Sequence, residues 1–164
     1  MTDQALEQFI VLAENAFERQ EWLEGENYLR LALEEEPTHG KAHNHMGWYY
    51  LNHMQNYDLA EMHLKLAMKY TRNYSAPYVH MAQLLFDSNR FEEHAEILLR
   101  AEKLPGINLA MIHNDLGRVE EVHGRIRKAI QQYKTALRWC LNDHELEVIK
   151  SNIRRCKTKR WMLF

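Results

Sequence analysis

Residues 116–136, LGRVEEVHGRIRKAIQQYKTA, decide the fold. A large apolar residue and a small one, Leu116 and Gly117, are followed after nine residues by Ile126, then by Ala129, Tyr133 and Ala136. Offsets of three, seven and ten from Ile126 put one side chain per turn on a single helical face, and the small members let a second helix come close. The same pattern recurs upstream. Ala13, Gly47, Ala82 and Gly117 form a column spaced 34, 35 and 35, each preceded by Leu12, Met46, Met81 or Leu116. An anchor follows each one: Trp22, Tyr57, Phe91 or Ile126, at an interval of nine residues that lengthens to ten in the second repeat. From the anchors the spacing is constant: Gly25, Ala60, His94 and Ala129; Leu29, Leu64, Leu98 and Tyr133; Ala32, Ala67, Ala101 and Ala136. Self-similarity with a period near 35 is the mark of a stacked repeat architecture.

Each repeat therefore reads as a helix A, a tight turn and a helix B. Glu21, Gln55-Asn56, Ser88-Asn89 and Gly124 break the chain within repeats, while Pro37, Asn73 and Pro105-Gly106 break it between them. The spacing predicts helices near 3–20, 22–36, 39–53, 57–71, 74–88, 91–103, 107–123 and 125–141, with a ninth at 143–160. The expected organisation is an all-α solenoid: four tandem repeats over 1–141 (about 3–37, 38–72, 73–106 and 107–141), then a capping helix and a basic, apolar tail over 142–164. Composition agrees, since 46% hydrophobic and 27% charged residues with net charge −2 suit one globular domain. Six Gly and three Pro are too few for a turn-rich all-β chain. No apolar run approaches the roughly 18 to 20 residues that cross a bilayer, and the start MTDQALEQ lacks the features of a signal peptide, so no membrane span and a cytoplasmic location are expected.

The pattern of Leu116-Gly117, Ile126, Ala129, Tyr133 and Ala136 resembles the tetratricopeptide repeat, with Pro37 where that repeat usually closes. The resemblance covers about 140 of the 164 residues and is best in the fourth repeat. It implies a right-handed superhelix whose A helices line a concave groove that holds peptides or partner proteins. The positions so implied are Ile10, Glu14, Phe17 and Glu18; Asn44, Trp48, Leu51 and Asn52; Val79, Gln83, Phe86 and Asp87; Asn114, Arg118, Glu121 and Val122. In this reading Trp48 and Phe86 are apolar anchors, and Asn44, Asn52, Gln83 and Asn114 bond a peptide backbone. The opposing reading makes Trp48 and Phe86 half-exposed packing residues. Members of the family that hold carboxylate tails use Lys, Asn and Arg where this chain has Ile10, Glu14, His45, Ala76 and His80. None matches, and with Glu7, Glu14 and Glu18 in the first helix a basic ligand is expected at that end instead.

Catalysis, cofactor and metal have no support in the sequence. The ten histidines are dispersed without HExxH; His94-Ala95-Glu96 lacks the PCxxC partner of zinc deaminases; His39 and His43 are four apart, but His39 falls in the loop or cap and its ring need not face His43. A histidine at 94, in a column of Gly and Ala, should either widen its helix pair or swing outward. No phosphate cradle or nucleophile elbow occurs, and the Arg138-Trp139 beside Cys140 gives no sign of the positioned base a nucleophile needs.

Charge is unevenly placed: residues 1–40 carry ten acidic side chains against two basic, and residues 138–164 seven basic against three acidic. The last helix turns Leu146, Ile149 and Ile153 to one side and Lys150, Arg154, Arg155, Lys157, Lys159 and Arg160 to the other, before Trp161-Met162-Leu163-Phe164. Three uses of this tail are open: folding back on the last repeat, homo-oligomer contact with another copy, or contact with a partner or anionic surface. Nucleic acid is disfavoured, because one basic helix without interleaved exposed aromatics binds only non-specifically. The expected function is a non-catalytic interaction module or scaffold for a protein or peptide partner. The alternative is a dedicated chaperone for a secreted or assembled subunit.

Overall fold

The computed structural model describes residues 3–162, with side chains from Leu6 onward. These residues form nine helices and no strand. They are α1 (Asp3–Glu18), α2 (Trp22–Glu35), α3 (Gly40–Asn52), α4 (Tyr57–Tyr70), α5 (Ala76–Asp87), α6 (Phe91–Ala101), α7 (Leu109–Val122), α8 (Ile126–Trp139) and α9 (Asp143–Met162). The fold is an all-α helical solenoid. Each helix end lies within two residues of its expected place, because the breaks that set it are local and chemical.

The chain divides into two compact units, residues 1–84 and 85–164. In the first, α1 packs on α2, α2 on α3 and α3 on α4. The small column explains the closeness of these pairs. A Cβ on Gly47 of α3 would fall 2.6 Å from Cγ of Leu64 on α4, so only glycine lets the backbone meet that leucine. In the second unit, α6 packs on α7, α7 on α8 and α8 on α9. Gly117 repeats the device, since a Cβ there would stand 2.5 Å from the Tyr133 ring. Thus in the second and fourth repeats the small residue of helix A is matched to the residue seven after the anchor of helix B.

Every turn from A to B carries one residue in the left-handed region. Gln20, Gln55, Asn89 and Gly124 have φ of 63°, 50°, 57° and 71°, and each stands two residues before its anchor. The amide after each returns to the preceding helix: Glu21 N to Ala16 O at 2.9 Å, Arg90 N to Leu85 O at 2.8 Å and Arg125 N to Glu120 O at 2.8 Å. These are the six-to-one bonds of a left-handed helix stop. In the second repeat the bond runs from Asn56 N to Tyr50 O at 2.9 Å, one residue longer. The extra residue counted in the sequence is therefore absorbed in this turn.

His94 does not swing outward. It is 1% exposed and meets Phe86 edge-on, with ring centroids 5.3 Å apart. The edge of an imidazole against an aromatic face is a favourable packing contact, which is why the column tolerates it.

Helix α9 buries Ile149 and Cys156 with Ala110, Ile126, Ala129, Tyr133 and Ala136. Its polar side is not all turned to solvent as expected. Arg155 donates to Glu121 through Nε at 2.8 Å and Nη2 at 2.7 Å, and Lys159 Nζ donates to the same carboxylate at 2.7 Å. Glu121 on α7 is 8% exposed, so this buried carboxylate draws both cations inward.

Candidate functional site

The first unit holds a cavity of about 450 Å³ lined by Glu14, Phe17 and Glu18 of α1, Asn44, His45 and Trp48 of α3, and His80 of α5. Helical spacing assembles it. Glu14 and Glu18 are one turn apart on α1, and Asn44 and Trp48 one turn apart on α3, so each pair shares a face. Trp48 is half-buried and held by its neighbours, its ring 5.5 Å from that of Phe17 and 5.1 Å from that of His53. Phe17 in turn stacks on Tyr49 at 5.6 Å.

Asn44 is 3% exposed. Its Nδ2 donates to the Tyr74 hydroxyl at 3.2 Å, while its Oδ1 is buried with no hydrogen-bond partner. Leaving such an acceptor unpaired costs about 1–3 kcal/mol. Structures carry that cost where a ligand or ordered water completes the bond.

The cavity is acidic at its rim. His45 Nε2 stands 3.2 Å from Glu14 Oε1, yet burial lowers the His45 pKa against the opposing pull of that carboxylate. Burial pushes His80 down to about 4, with the nearby His45 adding to the shift. Both imidazoles are therefore neutral at pH 7, and Glu14 and Glu18 have no cationic histidine beside them. The nearby ammonium of Lys41 is committed to Glu7 at 2.7 Å.

The nine residues expected to line the groove fare differently. Asn44 and Trp48 line this cavity. Leu51 is a correction: at 4% exposure it belongs to the core, because it lies on the inward face of α3. Asn52 is exposed but occupied, donating to Trp48 O at 3.0 Å and accepting from Gln83 Nε2 at 3.0 Å. Val79 is partly buried and Gln83 exposed.

In the second unit Phe86 is half-buried, and the Arg118 guanidinium sits 3.7 Å from its ring centroid. Arg118 also donates to Asp115 at 3.0 Å. Asn114 Oδ1 accepts from Asn152 of α9 at 2.8 Å. Phe86 is thus covered by a cation, which agrees with the packing reading of this residue rather than the anchor reading. Glu121, also expected to face the groove, is buried against α9. His45 and His80 entered the sequence reading only as mismatches at the carboxylate-holding positions of the groove, not among the lining expected to bind a segment. Their signal was positional, since both stand two residues before the small column and 35 residues apart.

Among the described residues, no three His, Cys, Asp or Glu side chains come together to hold a metal ion. His39 caps α3 by accepting from Ala42 N at 3.2 Å, and so does not face a metal with His43. Burial pushes the Cys156 thiol up to about 11. No described helix is long and apolar enough to cross a membrane.

No family model matches the sequence. No curated protein matches it by sequence either. Solved structures do match. The chain superimposes on Pseudomonas aeruginosa PilF with TM-score 0.83 and 20% identity, over 98% of this chain and 71% of that one. YrrB, described as a TPR protein with an unusual peptide-binding site, matches with TM-score 0.74 and 16% identity, over 93% of this chain and 76% of that one. Yeast Tom70 matches with TM-score 0.81 and 19% identity, over 94% of this chain and 33% of that one. At these identities the likeness is one of fold, and the fold of this chain is that of the tetratricopeptide repeat proteins.

Proposed function

We propose that the chain is a non-catalytic protein-interaction module that holds a segment of a partner protein in the cavity of its first unit. The observation that carries this reading is the buried, unpartnered Oδ1 of Asn44 in a cavity walled by Phe17 and Trp48. A fixed acceptor beside aromatic surface suits a peptide, which brings an N–H donor and an apolar side chain together. The likeness to YrrB, a TPR protein described as having an unusual peptide-binding site, supports the same reading.

The test is selection from a random peptide display library on the purified protein, followed by calorimetry of the selected peptides. Wild type should bind them at least tenfold more tightly than Trp48→Ala, whose helix content is checked by circular dichroism. Equal binding by both proteins would move recognition away from the cavity. A library that yields no binder above background would remove the reading altogether.

A further inference from the structure

We infer that the cavity of the first unit recognises a lysine or arginine side chain of the bound segment, with the ammonium or guanidinium group donating to Asn44 Oδ1 between Glu14 and Glu18. This deepens the proposal above and rests on it.

Four observations converge on a cationic donor. The buried Oδ1 of Asn44 accepts and cannot donate, so the group that completes it must carry N–H or O–H. The Nδ2 of the same amide is engaged by Tyr74, so the free valence of this cavity-lining side chain is its acceptor. Two exposed carboxylates, Glu14 and Glu18, stand on the same wall. The half-buried indole of Trp48 supplies the fourth element. The long methylene stem of lysine or arginine covers apolar surface while its head stays polar, and an indole face attracts the cation itself. A neutral donor such as serine would satisfy Asn44 but leave the carboxylates and the indole unused. An acidic segment would meet Glu14 and Glu18 with like charge. Both histidines of the cavity are accounted for: His45 is turned to Glu14, and neither imidazole competes as a cation at neutral pH.

The experiment uses full-length protein labelled with nitrogen-15 and three acetylated, amidated pentapeptides, Ala-Ala-X-Leu-Ala, with X as lysine, norleucine or glutamate. The signals followed are the Asn44 side-chain amide and the Trp48 indole N–H. Lysine peptide should shift both, with affinity at least tenfold above that of norleucine, which has a similar stem and no charge. Raising salt should weaken the lysine peptide and leave norleucine unchanged. The Glu14→Gln, Glu18→Gln double variant alters exposed positions only, and should lose at least tenfold for lysine while keeping its affinity for norleucine.

Equal binding of lysine and norleucine peptides would overturn the cation inference and leave the peptide-binding reading standing. Preference for the glutamate peptide would overturn it as well. If none of the three moves the Asn44 and Trp48 signals, the inference falls, and the display selection independently decides whether the cavity takes peptides at all.

Discussion

The Nδ1 atoms of His43 and His63 lie 2.9 Å apart in the core of the α3 and α4 pair. His43 Nε2 stands 3.0 Å from the Pro37 carbonyl and must donate to it, so the neutral His43 ring accepts at Nδ1 and His63 donates. Protonating both rings would set two N–H groups against each other. Both residues are buried, at 6% and 9% exposure, and burial pushes His63 down to about 4 with the neighbouring His43 contributing.

A dependence of stability on pH follows. An unfolded histidine titrates near 6.5, whereas folded His63 titrates near 4, so between these values the unfolded chain binds the extra proton. Stability is therefore full above about pH 6.5 and falls as the pH drops towards about 4, by on the order of 3 kcal/mol for this group. Burial also lowers His45 and His80, which lose stability in the same direction. Urea unfolding at pH 7 and pH 5 should show a lower midpoint at pH 5, and His63→Phe should shrink the difference. An unchanged pH dependence in the variant would show that the pair is not its source.

Glu121 ties α9 to the rest of the second unit. Its carboxyl is held well below the usual range, first by the Arg155 hydrogen bonds against the cost of burial, then by Lys159 and Tyr133. Such a depressed acid contributes stability above its ordinary pKa and loses it only as pH falls through the lowered value. Because Arg155 and Lys159 are nearly half exposed, losing their partner costs little by itself. Tyr133 is different: its hydroxyl donates to Glu121 at 2.9 Å and the residue is fully buried. Glu121→Ala should therefore lose about 1–3 kcal/mol, mostly from that stranded hydroxyl. Arg155→Ala should lose less than about 1 kcal/mol, since Lys159 still pairs the carboxylate. Hydrogen exchange should report faster opening of α9 in Glu121→Ala; unchanged exchange would show that α9 is held by its apolar face alone.

The repeat columns made the helices legible, because one small residue and one anchor per period leave few ways to pair them. The inserted residue of the second repeat was countable in the sequence, though its place in the turn at Gln55 was not. The site was less legible because its decisive features are not periodic. Asn44 looks like any amide on helix A until Tyr74, thirty residues away, claims its donor and leaves its acceptor. Phe86 and Trp48 were indistinguishable as anchors, and only the packing of Arg118 over Phe86 separates them. Leu51 was misplaced by the one-position uncertainty of a helical face, which is about 100° of rotation.

Two of the four left-handed turn positions carry glutamine, which has a Cβ to accommodate there. Glycine removes that steric cost but adds freedom to the unfolded chain, so the net gain is small. Gln20→Gly and Gln55→Gly should each raise stability by about 0.5–1 kcal/mol. Gln55→Gly tests the longer turn as well. A loss in Gln55→Gly beside a gain in Gln20→Gly, both read from urea midpoints, would show that the inserted residue makes the second turn depend on its side chain.

Trp161 and Met162 at the end of α9 are 86% and 80% exposed, so neither is folded back on the last repeat; Leu163 and Phe164 lie outside the described residues. An apolar side chain that buries little of its surface contributes little to folding, in contrast to Ile149 and Cys156 earlier on the same helix. Trp161→Ser with Met162→Ser should therefore change the unfolding free energy by no more than about 0.5 kcal/mol. Ile149→Ala, which empties a 2% exposed core position, should cost about 2–5 kcal/mol in the same assay. Measuring both at two protein concentrations separates folding from association. A loss above about 1 kcal/mol for the double serine variant that grows with concentration would place the tip in an interface between copies. The same loss at every concentration would show instead that Trp161 packs on its own chain.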